Sequence, residues 1–69
     1  MAKIVFTMAN GAAFEKSTGG FGEEKPFTDT RSATAFLHVF FRDPNTLSIT
    51  VDDGTILMVR QIATIKVVG

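Results

Sequence analysis

The sequence predicts an α+β fold with the element order ββαβββ, in which one helix packs on one face of a mainly antiparallel sheet. Two pairs of apolar-alternating segments are joined by the dipeptides Asn10-Gly11 and Asp53-Gly54, which favour the tight turns of β-hairpins. Between the pairs lies a segment with apolar residues at helical spacing. With 69 residues and no linker-like tract, the chain is expected to form a single domain, residues 1–69.

The first hairpin is expected between residues 3 and 16. Ile4, Phe6 and Met8 occupy every second position, so they share one face of a strand. Asn10-Gly11 then supplies the turn before the returning strand, because both central positions of a type I′ turn require a positive φ angle.

A glycine-rich loop is predicted from Ser17 to Phe27, because three glycines and one proline in this stretch leave too much backbone freedom for a helix or a strand. We expect its tip to be mobile in the free protein and to become ordered against a partner. Phe21, held between glycines, is the expected anchor in that partner, and Gly20 and Glu23 lie beside it. The alternative is that Phe21 folds back over its own core.

A helix is predicted from about Asp29 to Phe41. Thr28 or Asp29 can accept hydrogen bonds from the free N–H groups of the first turn, and Pro44 prevents the helix from continuing past the preceding residue. The apolar stripe of this helix follows the i, i+3, i+4, i+7 spacing and consists of Ala33, Phe36, Leu37 and Phe40.

Three strands are predicted after the helix. Residues 47–51 alternate between apolar and polar and form a half-buried strand. Thr55 to Val59 is apolar at four consecutive positions and Ile62 to Val68 is mostly β-branched, so both faces of these strands need cover. Since one helix covers only one face of a five-stranded sheet, we expect self-association through these strands, with Val59 and Val67 in the exposed interface.

The core is expected between the helix and a sheet built from both hairpins. Its predicted members are Phe6, Phe36, Leu37, Phe40, Ile49 and Ile56. Chains this short bury about 60% of the surface that their unfolded form exposes, and the sequence has no cysteine that could form a disulfide. Good packing or oligomerisation must therefore supply the remaining stability.

Composition disfavours several classes of function. Seven basic and seven acidic residues give a net charge of zero, so no overall field attracts nucleic acid or an anionic membrane. No apolar run approaches the roughly 18 residues that a membrane span needs, and a strand rather than a signal peptide opens the sequence. We therefore expect a cytoplasmic protein. One histidine and no cysteine predict no metal site and no cofactor.

Three basic side chains on the helix are candidates for contacting an anion. Arg31, His38 and Arg42 share one helical stripe, and together they could face a phosphate or a carboxylate. A solvated helix surface is the alternative reading. No catalytic motif ties a Ser, Cys or Asp to His38, so we expect no enzymatic activity. Turn formation explains the acidic pair Asp52-Asp53, and solvation at the surface explains the acidic pair Glu23-Glu24.

Two segments carry resemblances to known proteins. Val59-Arg60-Gln61-Ile62 joins two apolar strands and is similar to the closing strand-turn-strand of Sm-like RNA-binding proteins, a resemblance that implies RNA contact by Arg60. The hairpin from Val5 to Phe14, together with the closing segment from Asp53 to Ile65, resembles small accessory proteins of phages and prophages. That resemblance implies a small, cytoplasmic, often oligomeric protein that binds a host component.

These observations favour a small non-enzymatic interaction module, homo-oligomeric and phage-encoded, that binds itself and a host or defence protein. The alternative is a small nucleic-acid or nucleotide-binding protein that uses Arg31, His38, Arg42 or Arg60 together with the Gly19–Gly22 loop. The salt dependence of binding to RNA and DNA distinguishes the two, since phosphate contacts weaken steeply as salt rises.

Overall fold

The computed structural model describes residues 1–20 and 23–69, and these residues form an α+β fold with one α-helix. The strands are β1 Lys3–Met8, β2 Ala13–Lys16, β3 Thr18–Gly19, β4 Lys25–Pro26, β5 Ser48–Thr50, β6 Ile56–Met58 and β7 Ile62–Val68. The helix, α1, spans Thr30–Phe40, and a single 3-10 turn, Val59–Gln61, joins β6 to β7. The predicted fold class and the order of the main elements are confirmed.

In the described part of the chain the strands form three antiparallel sheets rather than one. β1 lies between β2 and β7, with Ile4 opposite both Lys16 and Val67. β5 pairs with β6 in a second sheet. The prediction of one sheet built from both hairpins is therefore wrong. The reason is local: the chain after β5 meets β2 through a few individual hydrogen bonds, and no continuous ladder joins the two hairpins.

The segment between β2 and α1 contains a third, very short hairpin. Thr18 pairs with Pro26 and Gly19 pairs with Lys25, so the prediction that residues 17–27 hold no strand is wrong. Close packing accompanies this pairing: the rings of Phe27 and Phe36 lie so close to Gly19 that a Cβ there would collide with both. A glycine is needed here for close approach of two aromatic rings to the backbone.

Helix α1 begins at the predicted cap Asp29, and this cap is reciprocal, with Ser32 as its partner. The Asp29 carboxylate accepts a hydrogen bond from the Ser32 backbone N–H at 2.8 Å, and the Ser32 hydroxyl accepts one from the Asp29 N–H at 3.2 Å. Such a capping box satisfies two N–H groups that have no partner inside the helix. The helix ends at Phe40, one residue earlier than predicted, and the Phe41 N–H closes the last turn on the carbonyl of Leu37 at 2.9 Å.

The core lies between α1, one face of the β2-β1-β7 sheet and the inner face of the β5-β6 hairpin. Its buried hydrophobic residues are Ala2, Ile4, Phe6, Met8, Phe27, Ala33, Phe36, Ile49, Val51 and Leu57. Of the predicted members, Phe6, Phe36 and Ile49 are buried, while Leu37 and Phe40 are partly buried against the same cluster.

Ile56 is the predicted core residue that the structure contradicts, because its side chain is 65% exposed. Ile49 stands opposite Leu57, and Thr50 stands opposite Ile56. Since paired residues point to the same face of a hairpin, the buried Ile49 directs Leu57 inward and Ile56 outward. In a run of four apolar residues the alternation is invisible, and only the pairing register decides which side chain is buried.

The other face of the β2-β1-β7 sheet is largely polar. Lys3 and Glu15 form an ion pair on it, and Lys66 lies opposite Val5 on the same face. Val67 lies opposite the fully buried Ile4 and packs against the core. The expectation that Val67 lies on an exposed apolar sheet face is therefore wrong, because the strand register turns this side chain towards the helix.

Contacts between Ser17, which follows β2, and Asp52, which follows β5, hold the second hairpin (β5–β6) against the first (β1–β2). The Asp52 carboxylate accepts hydrogen bonds from the Ser17 backbone N–H at 2.9 and 3.0 Å and from the Ser17 hydroxyl at 2.7 Å. The Asp52 N–H donates to the carbonyl of Glu15 at 3.1 Å. Asp52 therefore connects the two hairpins, in addition to lying beside a turn as its sequence position predicts.

Lys16 is the one charged side chain that is buried within residues 1–20 and 23–69, with 4% of its surface exposed. Its ammonium donates to the backbone carbonyl of Thr50 at 3.0 Å and to the carboxylate of Glu24 at 3.2 Å. The same ammonium lies 5.9 Å from the centre of the Phe36 ring, within the range of a cation–π contact. Lys16 thus joins β2, the segment after β3 and the end of β5.

We expect Phe6→Ala to lower the free energy of unfolding by about 3–5 kcal/mol, the usual range for a fully buried aromatic. Ile56→Ala serves as the matched control and should change it by less than about 0.5 kcal/mol, since Ile56 is mostly exposed. Urea unfolding followed by circular dichroism measures both values. A loss of 2 kcal/mol or more in the control would contradict the register of the second hairpin.

We expect Asp52→Ala to lower the free energy of unfolding by about 1–2 kcal/mol, because the Ser17 N–H and hydroxyl lose a charged acceptor. Asp52→Asn keeps an acceptor oxygen and should lose less. Amide hydrogen exchange should show faster exchange at Ser17 in Asp52→Ala. Equal stability of all three proteins would mean that this contact does not hold the hairpins together.

Candidate functional site

Three large apolar side chains of the described structure lie exposed in or next to the second hairpin, β5–β6. Leu47 is 71% exposed, Ile56 is 65% exposed and Met58 is 39% exposed. Single exposed apolar residues are ordinary on protein surfaces, whereas neighbouring ones mark interaction sites.

The register of the hairpin places two of these side chains on one face, and the third lies at the open end of the hairpin. Ser48 stands opposite Met58 and Thr50 stands opposite Ile56, so Met58 and Ile56 point to the same outer face. Leu47 joins them at the open end of the hairpin, where its carbonyl accepts a hydrogen bond from the Val59 N–H at 2.9 Å. We call the surface formed by Leu47, Ile56, Met58 and Val59 the hairpin surface.

Two depressions flank the hairpin surface. One, of about 470 Å³, lies between Ile56 and Met58 on one side and Ala9, Ala12 and Phe14 of the first hairpin on the other. The second, of about 390 Å³, is bordered by Leu47, Met58, Val59 and Arg60. Met58 borders both depressions, so the apolar surface is continuous across the outer side of the hairpin.

The turn of this hairpin is held by local hydrogen bonds. The Asp53 carboxylate accepts from the Thr55 N–H at 2.8 Å, and Gly54 adopts a φ of +89° that favours glycine. The Val51 N–H donates to the carbonyl of Thr55 at 2.9 Å. Hydrogen bonds from Thr55 hold the pKa of the exposed Asp53 carboxyl below its ordinary value of 3.8, because they stabilise the ionised form.

The predicted basic contacts do not converge on one site. Arg31 and His38 border the same shallow depression of about 500 Å³ on the outer face of α1, together with Thr34, Ala35 and Val39. Arg42 follows the end of the helix outside that depression, and Arg60 lies in the 3-10 turn beside the hairpin surface. In the described part of the chain, no ion pair involves any of these four basic residues.

The predicted partner-binding loop is described only in part. Gly20 and Glu23 are exposed, and the carbonyl of Glu23 lies so close to Gly20 that a Cβ at Gly20 would collide with it. Phe21, the expected anchor, lies outside the described residues.

Residues 1–20 and 23–69 contain no group of three or more His, Cys, Asp or Glu side chains placed to hold a metal ion. In the same residues no helix has the length and apolar character to cross a membrane.

Comparison with protein-family models, with curated proteins and with solved structures found no match to this chain.

The sequence predicts Val59 in an exposed interface, and in the structure Val59 is half-buried beside Leu47 and Met58. The sequence also predicts Leu47 on the apolar side of an alternating strand and Ile56 in the core, whereas both residues are mostly exposed. The available signal was the four-residue apolar run at 56–59, which predicts strands with two apolar faces. Only one of those faces is covered by the fold.

The lowered pKa of Asp53 predicts a pH-dependent contribution to stability. A carboxyl with a folded pKa below its unfolded value stabilises the fold above that unfolded pKa, and the stabilisation is lost as pH falls through the folded pKa. Asp53→Asn keeps the hydrogen-bond acceptor and removes the titration. We expect the wild-type protein to exceed this variant in unfolding free energy by a constant amount above about pH 5, and the difference to shrink as pH falls below 3.8. Urea unfolding at each pH measures it. A difference that grows towards low pH would contradict the assignment.

Proposed function

We propose that this chain is a small non-enzymatic interaction module that binds a partner protein through the hairpin surface and also associates with copies of itself. In this proposal it works in the cytoplasm without a cofactor, as a phage-encoded accessory protein whose partner is a host or defence protein. The resemblance of residues 5–14 and 53–65 to phage accessory proteins supports this setting.

The observation that carries the proposal is the exposure of Ile56 and Met58 on the outer face of a single hairpin, with the exposed Leu47 beside Met58 at the open end of that hairpin. Exposing large apolar side chains together costs solubility and contributes nothing to the core, so their grouping favours a surface that a partner covers. The Asp53-Gly54 turn and the bonds of Asp52 fix the hairpin in place, which reduces the entropy lost when a partner binds.

The surroundings of the hairpin surface define the chemistry of a suitable partner. The side chains at its centre are aliphatic or thioether groups, and Arg60 and Gln61 lie at its margin. Protein interfaces commonly combine an apolar centre with a polar rim. A partner that inserts an apolar side chain into the 470 Å³ depression and offers an acidic group near Arg60 fits this arrangement.

Nucleic-acid or nucleotide binding is the second candidate function. It is favoured by one observation, the shared depression of Arg31 and His38 on α1. Because Arg42 and Arg60 lie elsewhere, a phosphate chain would contact few cations at once, and a net charge of zero adds no attraction.

We expect Ile56→Lys to weaken partner capture roughly tenfold or more, since truncated or charged hot spots commonly cost at least that much. The matched control is Ala13→Lys, which adds the same charge at an exposed position paired with Thr7 on the polar sheet face. Wild-type and variant proteins are immobilised at equal density, exposed to bacterial lysate, and the retained proteins are quantified by mass spectrometry.

The supporting result is a protein retained by the wild type and by Ala13→Lys, lost with Ile56→Lys, and able to slow amide exchange in residues 47–59 when purified and added back. Equal retention by all three proteins would contradict binding at the hairpin surface. Labelled RNA and DNA are tested in parallel across a salt series. Steeply salt-dependent binding that Arg31→Ala abolishes would favour the second candidate instead.

A further inference from the structure

Strand β7 has one free edge. It pairs with β1 from Lys3 opposite Val68 to Met8 opposite Ile62, and no other strand of residues 1–20 and 23–69 lies on its far side. An edge strand presents a row of backbone N–H and C=O groups that can pair with another chain. At seven residues, β7 is the longest strand of the described structure.

The opposite edge of the same sheet is shorter, with four residues, and is bonded at one end. β2 forms that edge, and the Asp52 N–H bonds to the carbonyl of Glu15 while the Asp52 carboxylate bonds to the N–H of Ser17. Proteins usually guard free edges with charges, proline or bulges. β7 contains no proline and one charged residue, Lys66, and its register irregularity lies at the Ile62 end, opposite the step from Thr7 to Met8.

We infer that β7 pairs with β7 of a second copy of this chain, antiparallel about a two-fold axis that passes between the two Ile65 residues. This inference deepens the proposed self-association and rests on it. The two three-stranded sheets then become one six-stranded sheet, and the two α1 helices lie on the same side of it.

Symmetry and charge select this register. A two-fold axis perpendicular to the sheet keeps each side chain on its own face in both copies. Two residues that lie opposite each other across the new pairing must therefore point to the same face. Centring on Ile65 pairs Thr64 with Lys66 of the other copy, and all seven residues of the strand find partners. Centring on Lys66 would place two ammonium groups directly opposite each other, an arrangement that is destabilising.

The same register covers Ile65, the one large apolar side chain of β7 that is exposed. Ile65 is opposite Phe6 and therefore points towards the core face, yet it remains 41% exposed because no strand lies beyond it. In the paired sheet each Ile65 packs against its counterpart. Aliphatic cross-strand pairs of this kind stabilise antiparallel sheets.

The chain contains no cysteine, so a single introduced thiol reports on pairing without interference. Directly opposite residues of antiparallel strands have Cα atoms about 4.5 to 5.5 Å apart, within the range that a disulfide bridges. Ile65→Cys is therefore expected to form a covalent dimer under mild oxidation. Lys66→Cys is the matched control, because in this register its two copies are offset by two residues along the strands, about 8 Å apart.

A second measurement, on unoxidised protein, uses Ile65→Lys. Ile65 is partly exposed, so the longer side chain reaches solvent and the monomer is expected to keep its helix signal in circular dichroism. In sedimentation equilibrium the wild type should be a dimer and Ile65→Lys a 7.5 kDa monomer. Ile56→Lys, on the hairpin surface, should remain dimeric.

These outcomes separate this inference from the proposed function. Rapid cross-linking of Ile65→Cys with little of Lys66→Cys supports the β7 pairing. Faster cross-linking of Lys66→Cys, or a wild-type dimer that only Ile56→Lys dissociates, overturns the pairing and leaves self-association standing through another surface. A wild type that sediments as a monomer at high concentration overturns both the pairing and the self-association, whereas partner binding at the hairpin surface is judged by capture.

Discussion

The contact between the end of β2 and the end of β5 is the interaction on which the rest of the structure depends. A three-stranded sheet with one eleven-residue helix cannot enclose a core, since such small assemblies bury too little apolar surface. The inner face of the second hairpin supplies the missing wall through Ile49, Val51 and Leu57. That wall is held in place by the ammonium of Lys16 on the carbonyl of Thr50 and by the carboxylate of Asp52 on Ser17. These polar contacts therefore determine where the inner face of the second hairpin packs on the core.

The same contact decides which surfaces remain open. The Asp52 segment bonds to the end of the outer edge of β2, and β7 then has the longest unpaired edge in the described part of the central sheet. The inner face of the second hairpin is the face that packs on the core. Because the β5–β6 register turns Leu57 towards that face, Ile56 and Met58 remain on the outside. The two proposed contacts therefore lie on different elements and use different chemistry: backbone pairing along β7, and apolar side chains on the hairpin. Nothing in their geometry requires one contact to be broken before the other forms, so a paired assembly would present its hairpin surfaces twice, which raises the effective concentration of a second contact.

Features set by neighbouring residues were predictable from sequence, and features set by distant pairing were not. Asn10-Gly11, Asp53-Gly54 and the Asp29 cap act within a few residues, and each produces the hairpin or helix start that it predicts. The predicted type I′ geometry of the first turn is wrong, because Gly11 adopts a positive φ and Asn10 does not. Which of Ile56 and Leu57 points into the core depends instead on the register with another strand, because every position in that run is apolar. Burial of Lys16 depends on a carbonyl 34 positions away, a partner that no local pattern reveals. The same holds for the candidate site. Composition indicated that the protein has excess apolar surface, but the position of that surface on the second hairpin follows from the strand register.

The burial of Lys16 also gives the molecule an internal chemical reporter. Acylating reagents attack free amines, so Lys25 and Lys66, which are exposed, react whenever the reagent is present. The amine of Lys16 is shielded by Phe36, by Glu24 and by the end of β5, and we expect it to become reactive when this enclosure opens, as it does if the second hairpin separates from β2. Mass-spectrometric comparison of labelling rates at these lysines would therefore follow a local opening that leaves β1 and β7 paired. Openings of this kind are cheaper than global unfolding, and the labelling rate of one side chain would make them visible in the native protein.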